Sequence, residues 1–123
     1  MNKTDLRNAL LKSVIDQDRA PVVICSLDSV IQYMNPAAIA YYRRDLTGSD
    51  LAACHSPKSN EKIRQVLDWF AKSKTHNSIY TYHDDKENKD IYMIALRDEE
   101  ENLIGYYEKH EYRSRETAAF YAF

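Results

Sequence analysis

Between Thr47 and Ser59 the chain reads Thr-Gly-Ser-Asp-Leu-Ala-Ala-Cys-His-Ser-Pro-Lys-Ser, so a thiol and an imidazole stand side by side between a turn glycine and a proline. Cys54 and His55 are both metal-capable, and a neutral imidazole is a good axial ligand for iron. Adjacent residues on a helix diverge by about 100 degrees, so the two side chains are poorly placed to share one ion. Covalent haem attachment would need a second cysteine three residues before Cys54, and that position is Leu51. A thiolate near a helix N-terminus can sense oxidants, while a lone cysteine also serves as a small buried hydrophobe. His55 likewise has two readings: an iron ligand, or a hydrogen-bonding group at the junction before Pro57.

The remaining polar residues show no catalytic arrangement. His76, His83 and His110 lack the paired spacing of a zinc site. Asp84-Asp85 and Asp98-Glu99-Glu100-Glu101 lie between strand-like runs with no positioned nucleophile and read as solvated turns. With Gly48 and Gly105 the only glycines, no phosphate-cradling loop is present. The chain is therefore expected not to be an enzyme.

These residues must be positioned by a small domain. At 123 residues the chain has room for one modest core. Its 17 basic and 19 acidic residues leave a net charge of −2, which gives no field to draw in nucleic acid or an anionic membrane. No apolar run approaches the roughly 20 residues that span a bilayer, and the first residues, from Met1 to Arg7, lack a signal peptide's apolar segment. A cytoplasmic location with reduced thiols is expected. Ten tyrosines suit half-buried strands and association surfaces.

Leu6, Leu10 and Val14, with Leu11 and Ile15 beside them, predict an amphipathic helix over Thr4 to Gln17, capped by Thr4 or Asp5. Pro21 opens a β-branched run, Val22 to Leu27, in which Cys25 reads as core, and Val30 to Met34 follows after the turn at Asp28-Ser29. Asn35-Pro36 is a cap followed by a first-turn proline, predicting a short helix over Ala37 to Tyr42. Ser49 or Asp50 could cap another short helix through Ala53, and Ser56-Pro57 restarts the chain. Ile63, Val66, Leu67 and Phe70 follow the i, i+3, i+4, i+7 spacing of a helix over Lys58 to Lys72. Ser78 to His83, Asp90 to Arg97 and Asn102 to Tyr112 read as three antiparallel strands, and Ser114 to Phe123 as a tail without a clear element.

Two strands, short helices ending in a longer one, then a three-stranded meander make an α+β domain: a five-stranded antiparallel sheet with helices on one face, plus the N-terminal helix. This order, with Asn35-Pro36 after the second strand and Arg97-Asp98-Glu99 leading to Leu103-Ile104-Gly105, resembles a PAS domain over about Asp18 to Arg113. The segment Cys54-His55-Ser56-Pro57-Lys58-Ser59 is similar to the Cys-His-Pro-Pro-Lys-Ser motif of a PAS subfamily often joined to hemerythrin-like domains. Here Ser56 replaces the first proline, and no hemerythrin-like domain is present in these residues.

The chain divides into an N-terminal helix (1–17), whose Leu6, Leu10 and Val14 ridge is expected to dimerise together with the outer face of the sheet, a domain with the PAS resemblance (18–113) and a tail (114–123). The resemblance implies a sensor or signalling module holding a small molecule between the sheet and the helices, and acting on a separate signalling protein. The expected lining is Ile24, Met34, Ile39, Leu51, Ile63, Val66, Leu67, Ile79, Met93, Ala95 and Tyr107, together with Cys54 and His55. A filled core would use the same residues. The alternative is a haem-based gas or redox sensor with His55 as axial ligand.

Overall fold

The computed structural model describes residues 1–51 and 56–123, so Cys54, His55 and part of the short helix expected from Ser49 or Asp50 lie outside the described residues. The element order is α1 (Lys3–Asp16), β1 (Val23–Ser26), β2 (Ile31–Met34), α2 (Pro36–Tyr42), α3 (Pro57–Lys72), β3 (Ser78–Asp84), β4 (Lys89–Arg97) and β5 (Leu103–Tyr112). The strands form one antiparallel sheet in the order β2-β1-β5-β4-β3. The α+β class, the five-stranded sheet and the N-terminal helix are as the sequence predicts. No described helix is long and apolar enough to cross a membrane.

The N-cap of α1 differs from expectation. Asn2, not Thr4 or Asp5, caps it: the Asn2 Oδ1 accepts from the Asp5 backbone N–H at 2.8 Å. Asn35 caps α2 through its bond from the Ala38 N–H, with Pro36 in the first turn. Ser56 and Pro57 do the same for α3. Arg43 ends α2 in the left-handed conformation at φ 66°, and Gly48 makes the following turn at φ 88°.

Helices α2 and α3 cover one sheet face. Ala38 from α2 and Val66 and Phe70 from α3 are buried with Cys25, Ile31, Met34, Met93 and Tyr106 of the sheet. Burying a side chain the size of Phe70 stabilises the fold by about 1.5–3 kcal/mol. Arg97 fastens the end of α3 to β4, its Nη2 donating to the carbonyls of Phe70 at 2.7 Å and Ser73 at 3.0 Å, which satisfies carbonyls the helix leaves unpaired.

A second fastening joins three segments. Asn35 is fully buried; its Oδ1 accepts from Val22 N and Ala38 N, both at 2.9 Å, and its Nδ2 donates to Ile15 O at 2.9 Å and Ala20 O at 3.1 Å. One amide thus ties the end of α1, the lead into β1 and the start of α2 together. Close approach elsewhere fixes β5 against β1: a Cβ on Gly105 would lie 2.4 Å from the Cys25 carbonyl oxygen. Only glycine fits there without moving backbone.

Candidate functional site: a cavity on the helix-covered sheet face

Side chains alternate across a strand, so the register decides what faces the helices. Val23 pairs with Met34, Cys25 with Ile31 and Cys25 with Tyr106, and all of these point to the α2–α3 side. Bulges in β1–β2 and at Leu96–Arg97 leave this alternation intact over the central strands. The result is a cavity of about 320 Å³ with apolar walls from Val23, Cys25, Ile31, Met34, Leu46 and Leu51. Pro21, Tyr42, Tyr106, Glu108 and His110 complete the lining among the described residues. A volume near 300 Å³ lies at the small end of ligand pockets.

The polar groups sort by whether they already have partners. The Tyr106 hydroxyl shares a 2.8 Å hydrogen bond with Ser29 Oγ, and burial holds its pKa well above the ordinary tyrosine value. Burial likewise pushes the Cys25 thiol up to about 11, so it is a neutral wall and not a nucleophile. Desolvation, aided by the nearby Lys89 charge, pushes His110 below its ordinary value, which keeps the imidazole neutral near pH 7. His110 Nδ1 is buried and makes no hydrogen bond among the described residues. Just outside the lining, the Lys89 Nζ lies 2.9 Å from Glu87 Oε2 and sits over the rings of Tyr41 and Tyr112 at 4.9 and 5.4 Å.

The residues expected at the site are not gathered in one place. Met34 and Leu51 line the cavity. Val66 and Met93 are buried in the core, with Ile39, Ile63, Leu67, Ile79 and Ala95 packed against it. Ile63 and Met93 also border a separate depression beside α3. Ile24 and Tyr107 lie on the opposite sheet face, where with Val14 and Ile15 of α1 they line another cleft. The period-2 alternation that turns Cys25 and Tyr106 inward turns these two outward. Sequence reading took Cys25 as core and missed Pro21, Val23, Ile31, Tyr42, Leu46, Glu108 and His110. The signal was available in the strand parity, but Glu108 and His110 gave the inward set of β5 a polar look.

The opposite face carries a different network. Asp90 accepts from His83 Nδ1 and Arg113 Nε at 2.7 Å and from the Tyr80 hydroxyl at 2.8 Å. Arg113 most of all, then His83 and Tyr80, holds its carboxyl far below the ordinary range. Among the described residues no group of three His, Cys, Asp or Glu side chains is placed to hold a metal ion.

Solved structures share this arrangement of strands and helices. The PAS domain of a Colwellia psychrerythraea protein is 11% identical with a TM-score of 0.64, covering 87% of this chain and 97% of that one. The fold is that of a PAS domain. A sensory-box sensor histidine kinase structure from Vibrio cholerae matches at 14% identity and TM-score 0.60, over 91% of this chain and 96% of that one. A C-terminal domain from Streptococcus mutans matches at 19% identity and TM-score 0.65, over 87% and 84%. No protein-family model and no curated protein matches the sequence. In this PAS fold the cavity lies between the sheet and α2, flanked by the segment that carries Leu46 and Leu51.

Proposed function

We propose that this chain is a non-catalytic sensory PAS module that binds a small molecule in the cavity and passes its state to a separate signalling protein as a cytoplasmic homodimer. The observation that carries the reading is the apolar cavity on the helix-covered face. A ligand there presses on Met34, Tyr42 and Leu46. Met34 precedes Asn35, whose side chain holds α1, so occupancy biases the packing of α1 by shifting populations between two arrangements.

The test is a thermal-shift screen of small neutral compounds on the wild type beside Leu46→Trp, which fills the cavity. At about 100 times its dissociation constant, a ligand adds about 2.7 kcal/mol to stability, a shift of several degrees for a domain of this size. Compounds that stabilise the wild type should leave the variant unmoved; equal stabilisation of both would place binding elsewhere.

The dimer belongs to the same reading. None of the residues of α1 is buried, and Leu6, Leu10, Leu11 and Val14 are 50–73% exposed. An i, i+4 ridge of this kind is self-complementary with a second copy of the same helix, which would cover it and the adjoining outer sheet face. The competing reading, haem bound through His55 in a segment similar to the Cys-His-Pro-Pro-Lys-Ser motif, is decided by titrating haem into wild type and His55→Ala. A Soret band saturating at one haem per chain and lost in the variant would replace the small-molecule reading.

A further inference from the structure

We propose that the segment from Tyr42 to Thr47 is a lid over the cavity and that the Lys89 ammonium is its latch, so that a small molecule enters when the Tyr41 ring leaves Lys89. This inference rests on the small-molecule reading above and names how that site is opened.

The lid is lightly fastened along its length. Tyr42 and Leu46 line the cavity, and every residue from Tyr41 to Gly48 except Leu46 is exposed. Among the described residues, Arg43 to Thr47 hydrogen-bonds the sheet once and weakly, from the Leu46 backbone N–H to Met34 Sδ at 3.1 Å. Both ends are held. Upstream, Asn35 fixes the start of α2. Downstream, the Gly48 N–H donates to the Ile31 carbonyl at 2.8 Å, and the Ile31 N–H donates to the Ser49 carbonyl at 2.9 Å. A short exposed segment between two fixed ends opens locally before the sheet unfolds.

The latch joins that segment to the sheet. Lys89 on β4 is 1% exposed, and its Nζ lies 2.9 Å from Glu87 Oε2 in the β3–β4 turn. The rings of Tyr41 on α2 and Tyr112 on β5 flank the ammonium at 4.9 and 5.4 Å, and the Tyr41 hydroxyl donates to the same Glu87 oxygen at 3.3 Å. Glu87, Lys89 and Tyr112 belong to the strands and their turn; Tyr41 alone belongs to the helix that leads into the lid. Its neighbour Tyr42 meets it edge to face at 5.0 Å, so moving Tyr42 off the cavity wall moves Tyr41 off Lys89.

The chemistry of the latch suits repeated opening. Burying an ammonium is unfavourable, and the Glu87 carboxylate and the two ring faces offset that cost only while Tyr41 is seated. When Tyr41 leaves, water reaches Nζ and replaces the lost contact, which brings the open form close to the closed one in free energy. A latch of aliphatic side chains would expose apolar area on opening, with no such compensation.

The experiment follows labelling of Cys25, a thiol in the cavity wall, by methyl methanethiosulfonate in the full chain carrying Cys54→Ser, read by mass spectrometry with no ligand present. Tyr41→Ala should label about tenfold faster than its parent, the contribution of one cation–π contact to a desolvated ammonium. Tyr41→Phe keeps the ring and loses only the hydroxyl bond, so its rate should stay within about threefold of the parent. The faster rate should be flat in urea well below the unfolding midpoint, as for a local opening. An unchanged rate in Tyr41→Ala, or an increase that climbs steeply from the first addition of urea, would overturn the latch. Compounds that stabilise the wild type but not Leu46→Trp would then leave the small-molecule reading standing; with no such compounds that reading falls, and the lid with it. Should Tyr41→Ala fail to fold, Tyr41→Leu, which keeps an apolar side chain without a π face, takes its place with the same expectation.

Discussion

Asn35 shows how much one side chain can hold. The sequence marked it as the cap of a short helix, and the structure confirms that role while adding bonds to Val22, Ile15 and Ala20 that no local pattern could reveal. Those partners lie up to twenty residues away, so they exist only once the sheet has formed. Asn35→Ala leaves buried backbone donors and carbonyls unpaired and should cost about 3 kcal/mol, read as a lower urea midpoint with an unchanged m-value. Gly105 makes a similar point with no side chain at all: Gly105→Ala forces a Cβ against the Cys25 carbonyl, and it should lower the melting temperature more than Gly48→Ala, where nothing lies within 4 Å. Cys25 is a third case. Its neutral, buried thiol should resist a disulfide-exchange reagent at pH 8 in folded Cys54→Ser and react fully once the protein is unfolded. Rapid labelling of the folded variant would contradict its placement as a cavity wall.

Helices and strands were legible from periodicity, because 3.6- and 2-residue spacing follows from backbone geometry and needs no tertiary information. Which strand face turns inward was not. In β1 both Ile24 and Cys25 are plausible core residues, and in β5 the choice between Tyr106 and Tyr107 depends on pairing with β1 at Gly105. That register places Glu108 at the cavity and Tyr107 in the cleft beside α1, with His110 bordering both. Helix α1 itself carries the association prediction. Removing residues 1–17 would also strip Ile15 and Asp16 from their bonds to Asn35 and Tyr33, confounding assembly with stability. The double substitution Leu6→Glu, Leu10→Glu touches only exposed positions. It should convert a dimer to a folded monomer in light scattering with little change in melting temperature; an unchanged dimer would exclude α1 as the interface.

Taken as a whole, the molecule buries neutral forms of three titratable groups on one sheet face, and this sets its response to pH. Cys25 and Tyr106 have raised values in the fold, so their contribution to stability is complete below about pH 9, the ordinary thiol value, and declines as pH rises toward 11. His110 is depressed, so the unfolded chain takes up a proton more readily as pH falls below about 6.5, and stability declines on that side as well. Urea unfolding should therefore show greatest stability between about pH 6.5 and 9, with the acid decline reduced in His110→Phe.

Three methionines make the cavity directly observable, since Met34 lines it, Met93 lies in the core beyond it and Met1 is exposed at the terminus. Protein labelled with ¹³C at the methionine methyls and pressurised with xenon should show a saturable shift of the Met34 resonance, with Met93 moving less and Met1 not at all. A Met34 signal that stays fixed, or that moves no more than Met1, would mean this sheet face is a filled core and that the chain does not sense small molecules there.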